Sequence, residues 1–213
     1  MSDILDPRKD ETAWLLDRRS RITATDAAAI VGMHPYKSPL DVYLQKKGLA
    51  PERPMGEAAE WGVRLEGPIL EAYAERTGRA IVAVQQYQSH PAREWQAATV
   101  DAVAEDGRII EVKTIGLRSR LLDELGDPGT DEVPTSWLLQ VQHQLSVTGQ
   151  SQADVAALVG GQELRIYHLH RNDTLIAKLV DREAAFRDQH LLTDTPPNPS
   201  TAEDVDAYQW IYP

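Results

Sequence analysis

The stretch that most restricts this chain is ATVDAVAEDGRIIEVKT, residues 98–114. Two runs of small and β-branched residues flank Asp106-Gly107, a dipeptide that favours a tight hairpin turn. The first run predicts a strand over 95–103 and the second a strand over 108–115. Side chains alternate along a strand, so Glu111 and Lys113 share one face while Ile110 and Val112 share the other. Closing the hairpin sets Asp101 opposite Glu111 or Lys113. Two carboxylates and an ammonium thus converge on strands that otherwise read as core. On a solvated face they form an ordinary cross-strand ion pair. In a buried one they need compensation, because unpaired charge in a protein interior is costly. Mg²⁺ supplies it, and its preference for carboxylate, carbonyl and water oxygens suits Asp101, Glu111 and the backbone carbonyl of Val112. Lys113 would then orient or help activate a water for attack on a phosphodiester.

Helical patterns surround the hairpin. A helix is predicted over 10–19, with Trp14 and Leu15 as its apolar contacts. A second starts near Thr25, with Thr25 or Asp26 as its cap, and stops at Gly32. Ser38-Pro39 opens a third that ends at Gly48. Trp61, Leu65, Ile69, Leu70 and Tyr73 recur at helical spacing over about 55–77, where Pro68 predicts a kink or break near Glu66. Further strands are expected at 80–88, 151–159 and 162–170, the last two joined by Gly160-Gly161, with helices at 134–148 and 173–192. Between 116 and 133 a short helix precedes GDPGTDEVP, which reads as a mobile loop. TDTPPNPS divides one domain over 1–193 from an acidic, aromatic tail over 194–213 that carries Tyr208, Trp210 and Tyr212. This order predicts an α/β (α+β) fold with a mixed, partly antiparallel central sheet flanked by helices, without regular βαβ alternation.

The 213 residues suit one domain, and their net charge of −11 argues against binding nucleic acid with the whole surface. Charge is distributed unevenly, however. Arg18, Arg19, Arg21, Lys37, Lys46 and Lys47 face only Asp26 and Asp41 within 18–47, and Arg108, Lys113, Arg118 and Arg120 face only Glu111 within 108–120. The two basic islands either form one confined site for an anionic ligand or scatter as solvated charge. The absence of cysteine excludes disulfides, thiolate metal sites and cysteine nucleophiles. His168 and His170 share a strand face without a third ligand for zinc. No apolar run approaches the roughly 18 residues of a membrane helix, and a cytoplasmic location, in a bacterium or a phage-infected cell, is expected.

WLLDRRSRITATDAAAIVG, WGVRLEGPILEAYAERTG, TVDA…IIEVKT and WLLQVQHQLSVTG, in this order, resemble the blocks of the lambda-exonuclease and YqaJ-type viral recombination nucleases of the PD-(D/E)xK superfamily, over roughly residues 12–150. The resemblance implies a restriction-endonuclease-like core. It also implies metal-dependent 5′→3′ digestion of linear double-stranded DNA to mononucleotides, leaving 3′ single-stranded overhangs for recombination by annealing. Asp101 and Glu111 resemble the family's metal ligands for one or two Mg²⁺ ions, with Mn²⁺ as a substitute. Lys113 resembles its catalytic lysine, Glu66 its helix-borne acid after Trp61-Gly62, and Gln140 the first glutamine of its Gln-x-Gln block. Arg18 and Thr25 fall where the family holds the terminal 5′-phosphate. Thr99 supplies the hydroxyl expected near Asp101, and Arg118 or Arg120 a further basic contact. Val100 replaces the usual proline before the first acid. Each transferred residue has a plainer reading: Thr25 as a helix cap, and Arg18, Glu66, Gln140 and Gln144 as solvated side chains. The implied partners are double-stranded DNA ends, a single-strand annealing protein and further copies of the chain in a ring-shaped trimer. A structure-selective endonuclease and an inactive DNA-end-binding module are the alternatives.

Overall fold

The computed structural model describes residues 10–51 and 54–207; Tyr208, Trp210 and Tyr212 of the expected aromatic tail lie outside the described residues. Helix α1 (Glu11–Ser20) opens on Asp10, whose carboxylate accepts the Ala13 N–H. A two-residue strand, β1 (Ile22–Thr23), which periodicity cannot reveal, leads into α2 (Ala24–Ile30). The N-cap of α2 is Thr23, and Asp26 reaches back to accept both its N–H at 2.9 Å and its hydroxyl at 2.8 Å. Thr25 is thereby left exposed in the first turn. Helix α3 (Pro39–Lys47) is framed by Ser38 and by Gly48 at φ 65°, as its sequence predicts. Helix α4 (Glu57–Thr77) runs unbroken through Pro68. The residue whose carbonyl loses its helical partner there is Arg64, on an exposed turn that water reaches. Packing of Ile69, Leu70 and Tyr73 holds the following turns.

Strands β2 (Ile81–Ser89), β3 (Gln96–Ala104) and β4 (Ile109–Ile115) follow. A 3₁₀ turn at Arg120–Glu124 precedes α5 (Thr135–Thr148), then β5 (Gln152–Val159), β6 (Glu163–His170) and α6 (Asp173–Phe186). Helix α6 continues through a π turn at Arg187–Leu191, and α7 (Ala202–Ala207) ends the described chain. The sheet runs β2-β3-β4-β5-β6, with β1 parallel to the start of β3. Strand β4 pairs with β5 in parallel along its whole length, and β2–β3, β3–β4 and β5–β6 are antiparallel. One sheet face is covered by α4, whose Ile69, Leu70 and Tyr73 meet Ala102, Ile110 and Ala156. The other is covered by α5, whose Trp137, Val141 and Leu145 meet Ile109, Val155 and Tyr167. Ala27, Ala28, Leu139 and Leu179 pack α2 and α6 around α5.

The segment expected to be a mobile loop is instead tied to the free edge of β6. The Gly129 N–H donates to the Ile166 carbonyl at 2.8 Å, and the His168 N–H donates to the Thr130 carbonyl at 2.9 Å. An unpaired strand edge exposes a row of such groups, and this loop occupies them. Among the described residues no helix is long and apolar enough to cross a membrane.

Candidate active site

The site is made where the central hairpin comes apart. Strands β3 and β4 pair at Val103↔Ile109 and Ala102↔Ile110 and then splay. The next inward N–H of β4, that of Val112, donates to Asp101 Oδ2 at 2.7 Å, so the carboxylate takes the place of a ladder bond. Gln144 of α5 fills the opening, its amide donating to the Thr99 carbonyl at 3.1 Å and to Glu111 Oε2 at 2.5 Å.

Glu111 is buried between Ile109 and Ile115 on the face covered by α5. Lys113 Nζ donates to Glu111 Oε1 at 2.7 Å and to Gln140 Oε1 at 2.9 Å, while the Gln140 amide donates back to Glu111 Oε1. This is no solvated cross-strand pair: both oxygens of the acid are held by α5 and by the lysine. Asp101 keeps a partial opening to solvent. Burial, and then the neighbouring charges of Glu111 and Glu66, push its carboxyl well above the usual range. Glu66, on α4, accepts the side-chain amide of Gln85 at 2.5 Å. The fold therefore brings together Asp101, Glu111, Lys113, Glu66 and Gln140.

Among the described residues no three His, Cys, Asp or Glu side chains form a ready-made metal cage. The donor chemistry nonetheless fits a hard divalent cation. Asp101 is raised by burial and then by two neighbouring acids, so three carboxyls lie within electrostatic reach of one another, and Gln144 Oε1 is buried with no hydrogen-bond partner, an acceptor open to a bridging water. Asp101, Glu111 and the Val112 carbonyl could hold such an ion, with Glu66 beside them.

Lys113 and Gln140 open onto a pocket of about 210 Å³ whose wall also includes Thr25, His34, Tyr36 and Trp137. Burial, with Lys37 and Lys113, pushes the His34 imidazole down. Arg18 Nη2 donates to the Thr25 hydroxyl at 3.4 Å. The Arg18 guanidinium lies 4.5 Å from the centre of the Trp14 ring, and the Trp14 indole N–H donates to the Thr99 hydroxyl at 3.4 Å. Partial desolvation pushes Arg18 below its ordinary value, the mark of a cation short of water. Arg18, Thr25 and Thr99 thus form one connected edge of the site. The rest of the first basic island is largely spent internally. Burial pushes Asp26 up, but Lys37 at 2.8 Å and Lys46 at 2.6 Å outweigh it and hold the carboxyl far below its usual range. The second island does not gather either: Arg118 and Arg120 are exposed after β4, and Arg108 pairs with the buried Asp154 at 2.6 Å. His168 also contacts Asp154, at 2.7 Å.

Three contributors escape a linear reading. Gln144 follows Gln140 by one helical turn, and that spacing could have joined it to the site. Trp14 reads as an apolar contact, although its indole has a polar end. Gln85 carries no signal, because its contact depends on an unusual backbone conformation.

A family model described as the YqaJ-like viral recombinase domain matches residues 13–151. The protein YqaJ of Bacillus subtilis (strain 168) is 31% identical over 183 residues, which are 84% of this chain and 56% of that protein, so the chain spans little more than half the length of this relative. Among solved structures, an alkaline exonuclease (LHK-Exo) from Laribacter hongkongensis superposes with a TM-score of 0.66 at 20% identity, covering 83% of this chain and 91% of that one. A phage related exonuclease from Haemophilus somnus 129PT superposes with a TM-score of 0.62 at 13% identity, covering 82% and 96%. At these identities the likeness is one of fold, the restriction-endonuclease-like arrangement of a mixed sheet between helices.

Proposed function

The chain belongs to the YqaJ-like viral recombinase domain family, and from that premise we propose that it is a metal-dependent 5′→3′ exonuclease digesting linear double-stranded DNA to mononucleotides and leaving 3′ single-stranded overhangs. One observation carries the reading. Asp101 is wedged between splayed strands beside the buried Glu111, and Lys113 and Gln140 open from there onto the pocket that Thr25 lines. The exonuclease names of the structural neighbours agree with it.

In this reading Asp101, Glu111, the Val112 carbonyl and Glu66 hold one or two Mg²⁺ ions, or Mn²⁺ in their place. A metal held there would supply a water of lowered pKa and offset charge on the leaving 3′-oxygen. Lys113, fixed by Glu111 and Gln140, presents its ammonium to the scissile phosphate. Arg18, Thr25 and Thr99 receive the terminal 5′-phosphate, which sets the scissile bond one nucleotide inward and accounts for polarity and mononucleotide release. Arg118 and Arg120 are left for the flanking duplex backbone, on an exposed connection that suits such a contact. The family resemblance adds a ring-shaped trimer and an annealing protein as partner.

The test uses linear duplexes with 5′-phosphate or 5′-hydroxyl ends and a covalently closed circle, each with Mg²⁺ or EDTA. Nucleotides are expected from the linear duplexes in Mg²⁺ only, and faster from the phosphorylated ends. No Mg²⁺-dependent release refutes the enzyme reading, equal rates on both ends remove the role of Arg18 and Thr25, and cutting of the circle points to an endonuclease.

A further inference from the structure

Strict alternation would put residues 98, 100, 102 and 104 on one face of β3. The packing departs from it: Ala102 and Ala104 join the apolar cluster beneath α4, whereas Val100 joins the one beneath α5. The faces exchange around Asp101. Directly across on β2, between the pairs Val84↔Ala102 and Gln86↔Val100, stands Gln85. Its φ of 50° is left-handed, a conformation shared among the described non-glycine residues only with Asp194, outside the sheet. Such a residue inside an antiparallel ladder persists only where its surroundings hold it, and such residues cluster at functional sites. The side chain has a definite target as well, since Nε2 donates to Glu66 Oε1 at 2.5 Å. One residue therefore meets the acidic site twice, by its backbone opposite Asp101 and by its amide on Glu66.

We propose that Gln85 is a positioning residue of the nuclease centre. Its left-handed backbone accompanies the turn of β3 that aims Asp101 between Glu66 and Glu111, and its amide fixes the orientation of the Glu66 carboxylate. A hydrogen bond from such a donor orients the carboxylate relative to a cation, and loss of an outer partner of this kind typically weakens metal binding or activity by about 10–100-fold. The proposal rests on the nuclease reading above.

Gln85→Gly separates the two contributions. Glycine adopts positive φ without strain, so the strand keeps its course and only the amide is lost. Binding of Mn²⁺ to the DNA-free protein, followed by loss of the free-ion resonance signal, is measured beside thermal unfolding and Mn²⁺-supported digestion. The variant is expected to unfold within a few degrees of the wild type, to bind Mn²⁺ about 10-fold more weakly, and to lose kcat with KM for DNA unchanged. Wild-type Mn²⁺ affinity and kcat in the variant, or a change confined to its unfolding temperature, overturns the role of Gln85 and leaves the nuclease reading standing. A wild type that neither binds Mn²⁺ nor digests DNA removes the nuclease reading itself, and the role of Gln85 with it.

Discussion

Lys113 is held by two acceptors, one on its own strand and one on α5, so its ammonium has a fixed position at the pocket mouth. Replacing it by a side chain of similar length and no charge tests that position. Lys113→Met is expected to lower the digestion rate by about 10²–10⁴-fold, the usual size of a positioned proton-transfer or charge-stabilising group, with the fold intact. Initial rates on linear duplex and a far-ultraviolet spectrum check both halves. Gln144 belongs to the same scale but acts differently. Gln144→Leu strips the partner from Glu111 Oε2 and from the Thr99 carbonyl, and urea unfolding should show a loss of about 1–3 kcal/mol for leaving buried acceptors unmet. The sequence exposed Asp101, Glu111 and Lys113 because charges on apolar strands are conspicuous. Glutamines are not, since nothing in a helical pattern says whether an amide faces water or a carboxylate.

At the level of elements, α5 is locked to its neighbours by a buried ion pair away from the candidate site. His143 on α5 is 2.8 Å from Glu183 on α6 through Nδ1 and 3.0 Å from the Ala97 carbonyl on β3 through Nε2. Gln96, itself gripped by Arg93, donates to the other oxygen of Glu183. Two acceptors around one ring require both nitrogens to donate, which is the imidazolium form. Burial pushes the His143 pKa down, but Glu183, the Ala97 carbonyl and, more distantly, Asp26 outweigh it and raise it. A raised folded-state pKa contributes stability that is complete below the unfolded value of about 6.5 and fades as pH climbs through the folded value. Urea midpoints should therefore fall from neutral toward alkaline pH. Glu183→Gln should flatten that slope, and removing the partner outright in Glu183→Ala should cost about 3–5 kcal/mol. Element boundaries were otherwise plain in the sequence. Asp106-Gly107, Gly160-Gly161, Ser38-Pro39 and Gly48 stand where turns and caps require them. Composition marks 126–134 as a loop, which it is, but says nothing of what restrains it, because the edge of β6 that ties it down is made by distant residues.

Across the whole molecule, residues 194–207 pack back on α3. Asp204 accepts the Ser38 hydroxyl at 2.5 Å and the Ser200 N–H at 2.7 Å, and Ala207 is buried with Tyr43 and Phe186. Asp204→Ala should lower the unfolding free energy by about 1–3 kcal/mol, through unmet polar groups at the start of α3, while digestion persists because the Asp204 partners Ser38, Ser200 and Thr201 do not line the pocket; denaturant melts and initial rates read the two effects. The sequence by itself determined the layered α/β architecture, the family and the charged hairpin, because periodicity, turn residues and an acid-x-lysine pair are local properties. It also offered the acids, the lysine, Gln140, Arg18 and Thr25 as members of one site, and the fold brings all of them into or beside that site. Tertiary structure alone decided which charges are available. Lys37 and Lys46 of the first basic island neutralise Asp26, Lys47 pairs with Asp194, and Arg108 turns to Asp154 at another site. It alone decided that α4 continues past Pro68 and that Gln85 takes a left-handed turn opposite Asp101. Those outcomes depend on which groups meet after the layers close, when burial makes each unpaired charge or hydrogen-bonding group costly and selects the partners that satisfy it.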